Sequence, residues 1–200
     1  MITIKKGKEP QEWRNHRCTP GANYEAKPEL REALLREQGY ICAYCMQRIS
    51  ESNSRIEHLK SRHHSPKLAL DYQNMVICCS GMSGDEAHCD VKKGNKPISF
   101  SPLLPQLEDS ISYSSHTGHI KSNNATWDTE INKVLNLNAS LLCENRKKVL
   151  EGVIQILGSK KKWNLTELKR QYQNWINPDS GGQLRPYCGI VKSFLSKKIP

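Results

Sequence analysis

Five of the eight cysteines, Cys42, Cys45, Cys78, Cys79 and Cys89, fall within 48 residues, while Cys18, Cys143 and Cys188 are scattered. In Cys42-Ala-Tyr-Cys45 the spacing lets a backbone turn aim both sulfurs at one ion, as in a zinc knuckle. A second half-site downstream, Cys79 and Cys89, would complete four thiolates around tetrahedral Zn2+ and leave no position open, which makes the site structural. Neighbouring side chains of an extended segment face opposite ways, so Cys78 and Cys79 cannot both point inward. The spacing does not choose between them, and His88 competes with Cys89. Interleaved with these cysteines are Glu57-His58, Asn74 and Asp90, with His58 to Asn74 and Asn74 to Asp90 each sixteen residues apart. Binding alone requires no acid–histidine pair inside a basic protein.

The run Cys42-x-x-Cys45, Ile56-Glu-His-Leu59, Asn74-Met-Val-Ile-Cys-Cys79, Cys89-Asp-Val-Lys-Lys-Gly94 resembles the zinc-bearing HNH endonucleases with a ββα-metal fold. The match covers about residues 40–95. It implies that Glu57, before the histidine, and Asp90, after the last cysteine, bind a divalent catalytic ion such as Mg2+. Asp90 stands where the family usually has Asn or His, and a carboxylate oxygen also suits Mg2+. The resemblance makes Asn74 the residue whose amide bonds to backbone and holds the loop that aims the histidine. Neutral His58, near its ordinary pKa of about 6.5, would take a proton from water, while the ion stabilises charge on the phosphate and the leaving oxygen. Lys60, Arg62, Lys92 and Lys93 flank this site and are expected to hold the nucleic-acid backbone. His63 and His64 lie close enough to offer a further ligand or a phosphate contact.

Further segments, Ile4-Lys-Lys-Gly-Lys-Glu-Pro10, Pro20-Gly21-Ala-Asn-Tyr24, Ile131-Asn-Lys-Val-Leu-Asn-Leu-Asn138 and Arg185-Pro-Tyr-Cys-Gly189, look like the HNH effector subunits found with retrons and in the Septu antiphage system. That likeness implies a bacterial defence protein acting with an ABC-type ATPase subunit, and with a retron reverse transcriptase and its RNA and DNA.

Elements must position these residues. Residues 1–23 mix Pro, Gly and charge without period and predict an irregular arm. Pro28 to Gly39 predicts a helix, with Pro in the first turn, early acids and a terminal Gly. Arg55–Lys60 predicts an extended segment and Met75–Cys78 a second short apolar run, and His88–Gly94 suits one or two helical turns. Residues 97–110, rich in Pro and Ser, predict a linker. Ser110–Lys121 predicts a hairpin turning near Thr117-Gly118 and packing Ile111, Tyr113 and Ile120. From Asn138 the period is helical, with Leu142, Val149, Val153, Ile156 and Leu157 on one face and Arg146, Lys147 and Lys148 turned away. The run Lys160-Lys-Lys162 interrupts it. Thr166 would cap a helix through Trp175, Asn177–Gly182 is a break, and a last short helix follows Pro186.

The expected fold class is therefore α+β. An N-terminal arm and helix (1–39) precede a zinc-stapled ββα-metal module (40–96), a linker and hairpin (97–138) and a basic helical C-terminal region (139–200). Thirty Lys/Arg against twenty Asp/Glu give a net charge of +10 and favour a polyanionic partner such as nucleic acid. Residues 139–200 hold 12 basic and 4 acidic side chains and carry most of that excess. Hydrophobic residues at 36% exclude a disordered chain but predict a lean core that needs its metal staple. No apolar run approaches the roughly 18 residues of a membrane span, and the opening lacks a signal-peptide stretch, so the cytoplasm is the expected location. A non-catalytic zinc-finger module that grips nucleic acid, or a scaffold subunit, is the competing reading.

Overall fold

The computed structural model describes residues 1–158 and 163–200. Among the described residues it is α+β, with eight α-helices and three separate two-stranded antiparallel sheets. The pairing that matters for chemistry is β1 (Ser54–His58) with β2 (Met75–Cys79), in register from Ser54 opposite Cys79 to His58 opposite Met75. Every β2 residue is buried, as its Met-Val-Ile-Cys-Cys composition requires. A minimal hairpin, β3 (Met82–Ser83) and β4 (Glu86–Ala87), leads into α3 (Cys89–Lys93), which packs on β2. Strand β1 stops at His58, short of the expected Lys60, because the backbone N–H of Lys60 is drawn to the Asn74 side chain.

Helix α2 (Pro28–Glu37) begins on proline, where a missing N–H costs nothing, and buries Leu30, Leu34 and Leu35 beside β2. Full burial of such a side chain is worth roughly 1.5–3 kcal/mol. The N-terminal arm is not irregular throughout, since Gln11–Arg17 forms α1. Its single fully buried residue, Trp13, donates its indole N–H to the Leu70 carbonyl at 3.3 Å. One aromatic anchor holds seven residues that have no apolar period. The expected linker likewise contains a helix, α4 (Pro105–Ser110), with Leu107 buried and Phe100 packed just before it.

The second hairpin pairs β5 (Ile111–Tyr113) with β6 (Ile120–Ser122). Gly118 turns it at φ +70°, and a Cβ there would stand 2.1 Å from the Cys143 carbonyl oxygen, so only glycine fits. Helix α5 (Ala125–Thr129), capped by Asn124, continues through a π turn at Glu130–Val134. Three longer helices follow: α6 (Ser140–Leu157), α7 (Leu165–Ile176) and α8 (Cys188–Ser196).

Two expectations for this region are corrected. Ile156 is 64% exposed and Arg146 only 2%, because the stripe 142, 146, 150, 153, 157 faces the core and Arg146 occupies one of its positions. Its guanidinium is met by the carbonyls of Gly118 and Leu137, both at 2.6 Å. The cap of α7 is Asn164, which accepts the Thr166 N–H at 2.8 Å, rather than Thr166 itself. Lys160–Lys162 lies outside the described residues. Among the described residues no helix is long and apolar enough to cross a membrane.

Candidate active site and metal cluster

The sulfurs of Cys42, Cys45, Cys79 and Cys89 lie within 4.8 Å of one another, all buried. Cys42 and Cys45 sit on a tight loop closed by Met46 N–H donating to the Cys42 carbonyl, with Tyr40 and Met46 at positive φ. Cys79 ends β2 and Cys89 opens α3 at φ +52°. Cys42 and Cys89 sulfurs are 3.9 Å apart, and those of Cys45 and Cys79 are 3.7 Å apart. A tetrahedron with metal–sulfur arms of about 2.3 Å has edges of about 3.8 Å. The donor set therefore fits a four-coordinate metal ion of the size of zinc. Of the adjacent pair, Cys79 is the one whose sulfur lies with the other three, while Cys78, opposite Arg55 in the β1–β2 pairing, is a buried neighbour of Cys42. Burial pushes the Cys78 thiol well up, which keeps it neutral. His88, fully buried, is a neighbour of the cluster, with Nδ1 3.2 Å from the Cys89 sulfur and Nε2 2.8 Å from the Ser83 hydroxyl.

Beside this cluster opens a cleft of about 460 Å3 whose lining includes Arg55, Glu57, His58, Arg62, His63 and Asp90. The pairing β1–β2 and the packing of α3 on β2 bring Glu57, His58 and Asp90 together. His58 is 5% exposed, and its Nε2 lies 3.0 Å from the Ala69 carbonyl. A carbonyl only accepts, so Nε2 carries the proton and Nδ1 keeps the free lone pair. Burial pushes the His58 pKa below its ordinary 6.5, offset by the bond to Ala69, which leaves the ring neutral at pH 7. Tyr24 packs against the His58 ring with centroids 4.7 Å apart, and the Arg62 guanidinium lies 4.3 Å from the centre of the Tyr24 ring.

Glu57 is buried at the inner end of the cleft. Its Oε1 accepts Lys93 Nζ at 2.8 Å and the Tyr44 hydroxyl at 3.1 Å. Burial, with the neighbouring Asp90 carboxylate, raises its pKa to about 8 against the opposing pull of Lys93. Asp90 meets Arg55 Nε at 3.1 Å. Asp90 and Lys93 are one helical turn apart on α3, and so share the face that looks at β1. Two adjacent carboxylates, from β1 and α3, offer oxygen donors of the kind a divalent cation takes.

Asn74 ties the loop that follows His58. Its Nδ2 donates to the carbonyls of Lys60 and Leu68 at 2.9 and 3.1 Å, and its Oδ1 accepts the Lys60 N–H at 2.8 Å. The Asn74 carbonyl takes the Leu59 N–H at 2.9 Å. Asn74→Ala strands part-buried backbone groups of Lys60 and Leu68, at a combined cost of about 1–3 kcal/mol. Denaturant melts are expected to show a stability loss of that order, and an unchanged melt would rule out this bracing.

Of the four cations expected at the nucleic-acid backbone, Lys60, Arg62 and Lys92 are exposed. Lys93 is not: it is 1% exposed, turned inward because its helical position faces Glu57. His63 and His64 are exposed beside the cleft, ring against ring at 4.8 Å. Three residues around the site were not singled out from sequence: Tyr44, Arg55 and Tyr24. Tyr44 carried a signal by lying between two cluster cysteines, and Tyr24 by closing one of the segments that carried the family likeness.

No family model matches the chain. A protein of Vibrio cholerae serotype O1 biovar El Tor, named "Retron Vc95 putative HNH endonuclease", is 27% identical over 144 residues, which is 68% of this chain and 70% of that protein. Over most of its length the chain thus resembles a retron-associated HNH endonuclease, and its four buried cysteines fit the zinc-bearing form of that module.

Proposed function

We propose that this protein is a metal-dependent HNH endonuclease that hydrolyses phosphodiester bonds in nucleic acid. The observation that supports this most is His58 beside Glu57 and Asp90 in an open cleft, with its Nδ1 lone pair free. Zn2+ bound by Cys42, Cys45, Cys79 and Cys89 would serve structure, since four thiolates leave no open coordination position. A divalent ion such as Mg2+, held by Glu57 and Asp90, would supply charge stabilisation at the phosphate and the leaving oxygen. His58 takes the proton of the attacking water at Nδ1, and the Ala69 carbonyl keeps the ring in the tautomer that can do so. Lys60, Arg62 and Lys92 hold the backbone of the substrate without reading its sequence.

The retron name of the relative supports a place in bacterial antiphage defence. In this reading the chain is the nuclease effector of a complex with an ABC-type ATPase, as in Septu and retron-associated systems, in the cytoplasm. The test is cleavage of plasmid, single-stranded DNA and total RNA with Mg2+ or EDTA, alone and with the neighbouring ATPase. Mg2+-dependent cutting supports the reading and names the substrate class. Nucleic-acid binding without cutting in every arm would favour a binding module.

The pH profile should separate two titrations of opposite origin. At saturating Mg2+ the acid limb belongs to His58, whose lowered pKa puts the inflection below 6.5. At low Mg2+, protons compete for Glu57, whose raised pKa of about 8 moves the inflection upward. Cleavage rates against pH at two Mg2+ concentrations check this, and superimposable profiles would contradict it.

A further inference from the structure

A buried ammonium and a divalent-ion site occupy the same few ångströms here. Lys93 Nζ touches Glu57 Oε1 at 2.8 Å and lies 3.5 Å from the carbonyls of His58 and Gly94. It has no route to solvent at 1% exposure, and withdrawing it would leave Glu57 unpaired inside the protein. The other carboxylate has its own partner in Arg55. The formal charges of Glu57, Asp90, Lys93 and Arg55 therefore cancel. A dication entering alone meets no net negative charge, and low screening around Lys93 strengthens the repulsion. A phosphodiester brings the missing negative charge from the open side of the cleft, where Arg62 and His63 line its wall.

We propose that Lys93 is the resident counter-cation of the Glu57–Asp90 pair and makes divalent-ion binding depend on the nucleic-acid phosphate arriving with it. Lys93 is a positioning residue, since it touches neither substrate nor reacting atoms. With Tyr44 it pins Oε1 of Glu57, which would leave the second carboxylate oxygen for the ion. Linkage makes the effect reciprocal: whatever the phosphate adds to ion affinity, the ion adds to nucleic-acid affinity. The inference rests on the nuclease reading and extends it by assigning how the ion is admitted.

The experiment is a Mn2+ titration followed by electron paramagnetic resonance, on His58→Ala protein so that nothing is cut, with and without DNA and RNA oligonucleotides in separate arms. An oligonucleotide is expected to tighten Mn2+ binding at least about tenfold. Adding Lys93→Met is expected to tighten Mn2+ binding without oligonucleotide by at least about tenfold and to shrink the enhancement, while Lys93→Arg keeps the parent behaviour. Unchanged or weaker Mn2+ binding in Lys93→Met, with zinc content and circular dichroism intact, would overturn the proposal. So would the absence of any oligonucleotide effect in the His58→Ala protein, whatever the fold of the Met variant. A different result, no Mn2+ binding in any arm or full binding retained in Glu57→Gln, would sink the ion site itself and with it the nuclease reading.

Discussion

Cys42→Ser protein is expected to lose its zinc and the cooperative fold of the surrounding module together. Cys42 contributes one of four sulfurs from a loop that lacks helix or strand, and the other three come from β2, α3 and the same loop. Metal binding to such a site is worth roughly 10–16 kcal/mol, as large as the whole stability of a typical domain at about 5–15 kcal/mol. Without the cation nothing bridges the four buried sulfurs, and burial pushes the Cys45 and Cys89 thiols up. Zinc content by mass spectrometry and thermal melts by circular dichroism measure both losses. The matched comparison is Cys78→Ala, equally buried but outside the cluster. It should keep full zinc and lose about 1 kcal/mol, as an ordinary buried truncation does. Zinc retained by Cys42→Ser, or lost from Cys78→Ala, would mean the ligand set is wrong.

His58→Ala should show the opposite pattern, a folded protein that has lost catalysis. A positioned general base accounts for about a hundredfold to ten-thousandfold of rate. The ring makes one bond, to Ala69, and an edge contact with Tyr24, neither of which touches the four sulfurs. Zinc content and the far-ultraviolet spectrum should stay as in wild type while the cleavage rate falls by at least about a hundredfold. Tyr24→Leu provides a milder control, keeping bulk against the ring without its aromatic face. A His58→Ala protein that cuts at the wild-type rate would overturn the mechanism outright. With Cys42→Ser, the pair separates what the cluster does for the fold from what the cleft does for the reaction.

Much of the site was legible because its determinants are local or ordinal. Cys42-x-x-Cys45 is a turn-length spacing, Glu57-His58 are neighbours on one strand, and the α2 leucines follow a helical period. The order of cysteines and polar residues along residues 40–95 carried the family likeness without any coordinates.

What remained hidden depends on contacts between segments distant in sequence. Cys78 and Cys79 are equivalent by type, and only the folded chain shows which sulfur joins the other three. Lys93 reads as a surface cation beside Lys92; the packing of α3 turns it onto a glutamate 36 residues earlier and buries it. Arg146 sits at a core position of α6 because carbonyls of the Gly118 turn and Leu137 receive its charge, an arrangement no period announces. Helix α1 exists because Trp13 finds a pocket and the Leu70 carbonyl, not because its residues favour a helix. Spacing and periodicity report what a chain does within one element. The charge state and direction of a side chain are set by whatever packs against it, and here that meant an ammonium placed where a phosphate contact was expected.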